Sequence, residues 1–167
     1  MYQIGDYVIK TNKGVCRIAD ISVSELSGND PDKLYYILVP VLNDKVKIFV
    51  PTEPEPQSLR PIMTREEAHA LIQSMPEVEQ IKITNEKFAR DQYRACLNDK
   101  DPRKLASILK TIYLRNKERN AQGKKTTSLD ERYYKTAEEY FNTELSMALG
   151  VDKKEIIRMI DEVMGSL

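Results

Sequence analysis

Tryptophan is absent from this 167-residue chain, histidine occurs once and cysteine twice. Each shortage closes off a class of chemistry. Cys16 and Cys96 lie 80 residues apart with no CxxC spacing, so neither a disulfide framework nor a zinc site is expected. His69 stands between Ala68 and Ala70 on a stretch that reads as a short helix, where a lone imidazole has no partner for base catalysis. No nucleophile elbow, glycine-rich phosphate loop or metal-ligand spacing occurs, so no catalytic residue, cofactor, metal or small-molecule substrate is expected. Apolar runs stop short of the roughly 18 residues a membrane span needs. The opening MYQIGDYVIK lacks the basic-then-apolar order of a secretory signal, and the expectation is a cytoplasmic protein with no membrane partner.

Net charge is also lacking: 26 lysines and arginines stand against 26 acids. The distribution is uneven. Residues 1–81 carry 8 basic and 12 acidic side chains, residues 82–127 carry 13 and 5, and residues 128–167 carry 5 and 9. The blocks are therefore −4, +8 and −4, and a segregated basic middle is the footprint of a phosphate-backbone contact as well as of a solvated helical surface.

What is present divides near residue 62. Before it, short β-rich runs alternate with turns: Tyr7 to Lys10, a turn at Asn12-Lys13-Gly14, Val15 to Ser22, Leu34 to Val41, and Val46 to Val50 after a hairpin at Asn43-Asp44. Strands this short must curl together to bury one face, which predicts a five-stranded SH3-like or Tudor-like barrel over residues 1–61. The four prolines between Pro51 and Pro61 exclude a central strand and predict a rim or connector. After residue 62 the period becomes helical, predicting an all-α part of about five helices over residues 62–167 and an α+β chain. Thr64-Arg-Glu-Glu67 caps the first helix, which Pro76 ends; the second starts after Thr84 or Asn85 with Ala89, Tyr93, Cys96 and Leu97 on one face. Asp101-Pro102 starts the third, Ser128-Leu-Asp-Glu131 the fourth up to Gly150, and Asp152-Lys-Lys-Glu155 the fifth up to Gly165.

Three groups of side chains are candidates for binding. On the third helix Leu105, Ile108, Leu109, Ile112 and Tyr113 form the apolar stripe, while Arg103, Lys110 and Lys117, seven residues apart, are expected to stack on the opposite face with Lys104 beside them. Lys124 and Lys125 follow in a polar loop, and between Lys104 and Lys125 only Glu118 is acidic. On the second helix Phe88 falls off the apolar stripe among Lys87, Arg90 and Arg94, suited either to wedge into a minor groove or to staple onto Ile83 if Thr84 is the cap. In the barrel, alternation from Lys45 to Val50 sends Val46, Ile48 and Val50 inward and leaves Phe49 outward with Lys45 and Lys47 on what reads as an edge strand.

These pieces together resemble the CarD/CdnL family of bacterial RNA polymerase-binding regulators. IGDYVIKTNKGVCRI resembles that family's opening GD-x-V-V-x-x-x-x-G-V pattern, IFVP its barrel exit, SLRPIMTREEAHALIQSM its entry into the helical part, KLASILKTIYLRNKER its long basic helix and NTELSMALG its ending. The first 60 residues fit equally the polymerase-binding module of transcription-repair coupling factors. The resemblance implies a Tudor-like domain on the polymerase β subunit, a helical domain on promoter DNA at the upstream edge of the melted region without sequence readout, and modulation of open-complex stability. It implies a DNA surface made of Lys87, Phe88, Arg90, Arg94, Arg103, Lys104, Lys110, Lys117, Lys124 and Lys125, and a partner surface made of Lys45, Lys47 and Phe49. Two positions depart from the family: its wedging tryptophan is missing, with Phe88 the nearest aromatic, and Phe49 stands where relatives often carry an arginine. Two rival readings need no promoter: a polymerase-binding protein that ignores DNA, and an RNA- or ribosome-associated factor.

Overall fold

The computed structural model describes residues 1–26 and 28–167. Two compact units divide it, Met1–Ile62 and Met63–Leu167.

The first unit is a curled, five-stranded antiparallel sheet. Its strands are β1 (Tyr7–Lys10), β2 (Gly14–Val23), β3 (Leu34–Pro40), β4 (Ile48–Pro51) and β5 (Leu59–Pro61), in the order β4-β3-β2-β1-β5. The sheet is a half-barrel, with β4 and β5 as edges. The turn into β2 works because Asn12, at φ 60, and Gly14, at φ 75, take the left-handed backbone that a three-residue loop between paired Lys10 and Gly14 requires. β2 lies between β1 and β3, with Cys16 and Arg17 paired to both, and a bulge between Ile18 and Asp20, just beyond its last pair with β1, bends it within the β3 ladder. The concave face gathers Val8, Cys16, Ile18, Tyr36, Leu38, Val50 and Leu59 into the core.

Proline decides where this sheet stops. The stretch expected to be only a connector supplies β5, yet as an edge strand pairing with β1 alone, and its Pro61 terminates the strand opposite Val8. The expected Asn43-Asp44 hairpin is a longer loop. Leu38 pairs with Ile48, and two successive turns, Asn43 N–H to the Pro40 carbonyl (3.2 Å) and Val46 N–H to the Asn43 carbonyl (3.3 Å), carry the chain between them. The Asn43 side chain accepts from the Lys45 N–H at 3.3 Å, an Asx turn that takes this residue out of the ladder.

The second unit contains α1 (Arg65–Ser74), α2 (Ala89–Leu97), α3 (Arg103–Ala121), α4 (Ser128–Leu149) and α5 (Lys153–Met164), with 3-10 turns at Met75–Glu77 and Glu86–Phe88. Thr64 accepts from the Glu67 N–H at 3.1 Å and donates its hydroxyl to the Glu67 carboxylate at 3.3 Å. The cap of α4 is Thr127, one residue before the expected Ser128, and it accepts from the Asp130 N–H at 3.2 Å. Gly150 at φ 67 ends α4, and Asp152 caps α5 through the Glu155 N–H at 2.9 Å.

α4 is the axis of this unit because α1, α2, α3 and α5 all pack on it. Tyr133, Ala137, Phe141, Leu145 and Leu149, four residues apart, are all buried along it. So are the polar residues between Phe141 and Leu145, among them Glu144, whose carboxylate accepts the Met63 N–H at 2.9 Å and fastens the entry of the unit.

Asp130 is fully buried at the start of α4 and answers three donors. The Tyr93 hydroxyl of α2 donates at 2.7 Å, Arg115 Nε of α3 at 2.9 Å and an Arg119 guanidinium nitrogen at 2.7 Å. Burial, reinforced by the Asp130 carboxylate, pushes the Tyr93 phenol above the ordinary tyrosine range, which keeps it a donor. One carboxylate thus ties three helices. Asp130→Asn leaves the two guanidinium groups without their buried counter-charge and should cost about 3 kcal/mol in urea unfolding at unchanged m-value; a loss below about 0.5 kcal/mol would contradict this role.

Candidate nucleic-acid and partner interfaces

The cations of α3 do not form a solvent-facing stripe. Ala106 through Ile112 is buried without a break, so this helix is enclosed on more than its apolar side. The cause lies in the connector after Pro76. It crosses the face opposite the Leu105/Ile108/Ile112 stripe, with Val78, Ile81 and Ile83 packed against the core. Lys110 is buried beneath it and donates to the Pro76 and Val78 carbonyls, the latter at 2.8 Å, while the Thr111 hydroxyl accepts the Ile81 N–H at 2.8 Å. Lys110 is therefore a strap fastener, and the expectation of a phosphate contact there is corrected.

Its expected neighbours on the stripe are also engaged. Arg103 is exposed but paired with Asp101 at 2.9 Å, and that carboxylate also accepts the Arg103 N–H at 2.9 Å, which holds Asp101 below the usual carboxylate range against the opposing effect of partial burial. Lys104 is exposed and shares a cleft with Arg103, Asp101, Glu77 and Glu79, where acids offset its charge. Lys117 is exposed and donates to the Leu167 carbonyl. Two arginines not counted as binding candidates, Arg115 and Arg119, are drawn inward by Asp130, and Glu86 accepts from Arg115 at 2.6 and 2.8 Å. The acids that neutralise the basic block thus stand before and after the stretch from Lys104 to Lys125. Spacing along one helix could not show them; the i, i+4 relation of Arg115 and Arg119 was the available signal.

The second helix keeps its cations free. Asn85 is the cap, its side chain accepting the Lys87 N–H at 3.0 Å, which puts the turn Glu86–Phe88 in front of α2. With the cap one residue later than Thr84, Phe88 is out of register for a staple on Ile83, and it stands 51% exposed. Lys87 Nζ lies 5.9 Å from the Phe88 ring centroid, a cation-π arrangement. Lys87, Arg90 and Arg94 are exposed, and the Arg90 and Arg94 side chains have no hydrogen bond or ion pair among the described residues. Here one aromatic ring and three cations share the exposed side of Lys87–Arg94. Lys124 and Lys125 add two exposed cations in the loop after Gly123, which takes φ 73.

On the sheet, β4 presents a free edge. Phe49 pairs with Ile37 and is half-buried, while Val50 on the other face belongs to the core and Ile48 packs against it. Lys45 and Lys47 are exposed but precede the strand, so their spacing reflects the loop rather than strand alternation. The chemistry at this edge is main-chain pairing beside one aromatic and two cations.

Residues 2–63 match the family model of the CarD-like/TRCF RID domain, a family of RNA polymerase-interacting domains, and the match ends where the helical unit begins. No curated protein matches the chain. No helix among the described residues is long and apolar enough to cross a membrane, and no group of histidine, cysteine, aspartate and glutamate among them could hold a metal ion.

The burial of Lys110 makes a prediction opposite to that of a solvated stripe. Lys110→Ala removes the donor for two backbone carbonyls and should destabilise the chain by about 1–3 kcal/mol, whereas Arg94→Ala should stay within about 0.5 kcal/mol. Thermal and urea unfolding of both variants checks the contrast.

Proposed function

We propose, for a chain whose residues 2–63 match the CarD-like/TRCF RID domain, that it joins RNA polymerase to promoter DNA. The half-barrel binds the polymerase β subunit through the β4 edge. The helical unit contacts duplex DNA at the upstream edge of the melted region through the turn Glu86–Phe88 and the exposed side of α2, and so alters open-complex lifetime. The observation that carries the DNA half is Phe88: a large apolar ring, half in solvent, among Lys87, Arg90 and Arg94. A buried aromatic would support only packing, and isolated surface cations only solubility. Together they suit a minor-groove wedge with phosphate contacts on its flanks. Phenylalanine has less area than the family's tryptophan and no indole donor, so the wedge is a weaker one.

The neutralised α3 favours a second reading, a polymerase-binding protein that ignores DNA. If Lys87, Arg90 and Arg94 pair with phosphates, changing all three to Ala should reduce the slope of log affinity against log salt by about 0.9 for each residue, with no change in sequence preference. The full chain on a duplex across a salt series gives the measurement. An unchanged slope favours the protein-only reading.

The polymerase half has its own test. Phe49→Ala should weaken binding to the isolated β subunit by about tenfold, the effect of losing one aromatic anchor at an interface, while leaving duplex affinity alone. Equal β-subunit affinity for parent and variant, measured by titration, would remove Phe49 from the contact.

A further inference from the structure

The turn that carries Phe88 buries none of its three residues, Glu86, Lys87 and Phe88. No apolar side chain of its own anchors it. The bond from Asn85 to the Lys87 N–H is local and shapes the turn without attaching it to anything else. Attachment on the far side comes from Ala89, fully buried at the start of α2. On the near side Ile83 packs against the core and Gln92 donates to the Lys82 carbonyl at 2.7 Å, and from the turn itself the Glu86 carboxylate reaches across to α3 and takes both of its bonds, 2.6 and 2.8 Å, from one nitrogen of Arg115.

Arg115 is a prepared partner. Its Nε is held by Asp130 at 2.9 Å, and its side chain is 16% exposed against 65% for Glu86. The guanidinium is planar, so fixing Nε on a buried carboxylate fixes the direction in which the outer nitrogen points. Arg119 stands behind it, bonded to Asp130 at 2.7 Å and 3.8 Å from Glu86. The more exposed member of the pair is Glu86, and it belongs to the turn.

We propose that Glu86 is a positioning residue for Phe88: its clasp on Arg115, itself seated on Asp130, holds the turn against α3 and sets how the ring meets a duplex. This rests on the reading of Phe88 as a DNA wedge. Glu86 then acts against simple charge expectation, because a carboxylate two residues from a DNA-contacting ring helps binding by geometry although its charge repels phosphate.

The sign of that effect is the test. Glu86→Gln keeps the size of the side chain and removes the charge that makes the clasp. It is to be measured in the full chain by duplex affinity at fixed salt, alone and combined with Phe88→Ala, with melting temperature alongside. Positioning predicts that Glu86→Gln lowers affinity by about five- to tenfold, a fraction of what an exposed stacking ring contributes. It predicts that most of this loss disappears in the Phe88→Ala background, since the clasp has nothing left to position, and that the melting temperature hardly moves. A gain in affinity in both backgrounds would overturn the proposal and leave Glu86 as a repelling charge. No change in either background, or an equal loss in both, would overturn it too. If the parent binds duplex and Phe88→Ala weakens it while Glu86→Gln does not, this inference alone fails. If Phe88→Ala leaves affinity unchanged, the wedge reading falls and takes the inference with it.

Discussion

Asp130 is the group on which the helical unit turns. A fully buried carboxylate is costly unless donors surround it, and here Tyr93, Arg115 and Arg119 supply them from two other helices. Once it is seated, Tyr93 fixes the face that α2 turns inward, its ring 5.3 Å from that of Tyr133 on α4. The opposite face of α2 is then the one left with Arg90 and Arg94 in solvent. The same carboxylate orients Arg115 toward Glu86, so a buried ionic group and an exposed aromatic turn belong to one chain of bonds.

Much of this was readable from local rules. Strand and helix periods separated the two units near residue 62, and the caps at Thr64 and Asp152 are where hydroxyl and carboxylate spacing put them. Gly150 and Pro76 mark helix ends for backbone reasons that need no neighbours. Tertiary relations were harder to read. Lys110 looked solvated because an isolated helix with one apolar stripe has a wet back, and nothing within residues 103–121 reveals that the segment after Pro76 covers it. The apolar residues Val78, Ile81 and Ile83 in an otherwise polar segment were the trace of that strap. Charge counting by block failed likewise: Asp130, counted in the acidic block after residue 127, neutralises Arg115 and Arg119 of the basic one, and a block count cannot show that Glu86 pairs with Arg115. β5 was hidden for a different reason, since its proline excludes a central strand but is tolerated on an edge.

The result is a smaller candidate DNA surface than the basic block suggests. Arg103, Lys110, Arg115 and Arg119 are engaged within the unit. Lys87, Phe88, Arg90 and Arg94, with Lys124 and Lys125, are exposed. A few phosphate contacts give weak duplex binding on their own. In the proposed reading, a polymerase-bound half-barrel holds the helical unit beside a promoter and so raises its local concentration to about millimolar, enough for a weak wedge to matter.

That dependence of one end on the other is the central claim, and a mixing experiment tests it most directly. Phe49→Ala and Phe88→Ala chains, each full length and each impaired at one end, are added together to polymerase on a promoter, and the open-complex lifetime is followed. Joining predicts that the mixture fails to reproduce the effect of the parent chain, because no single molecule holds both contacts. A mixture as effective as the parent would contradict it, and the two ends would then act independently.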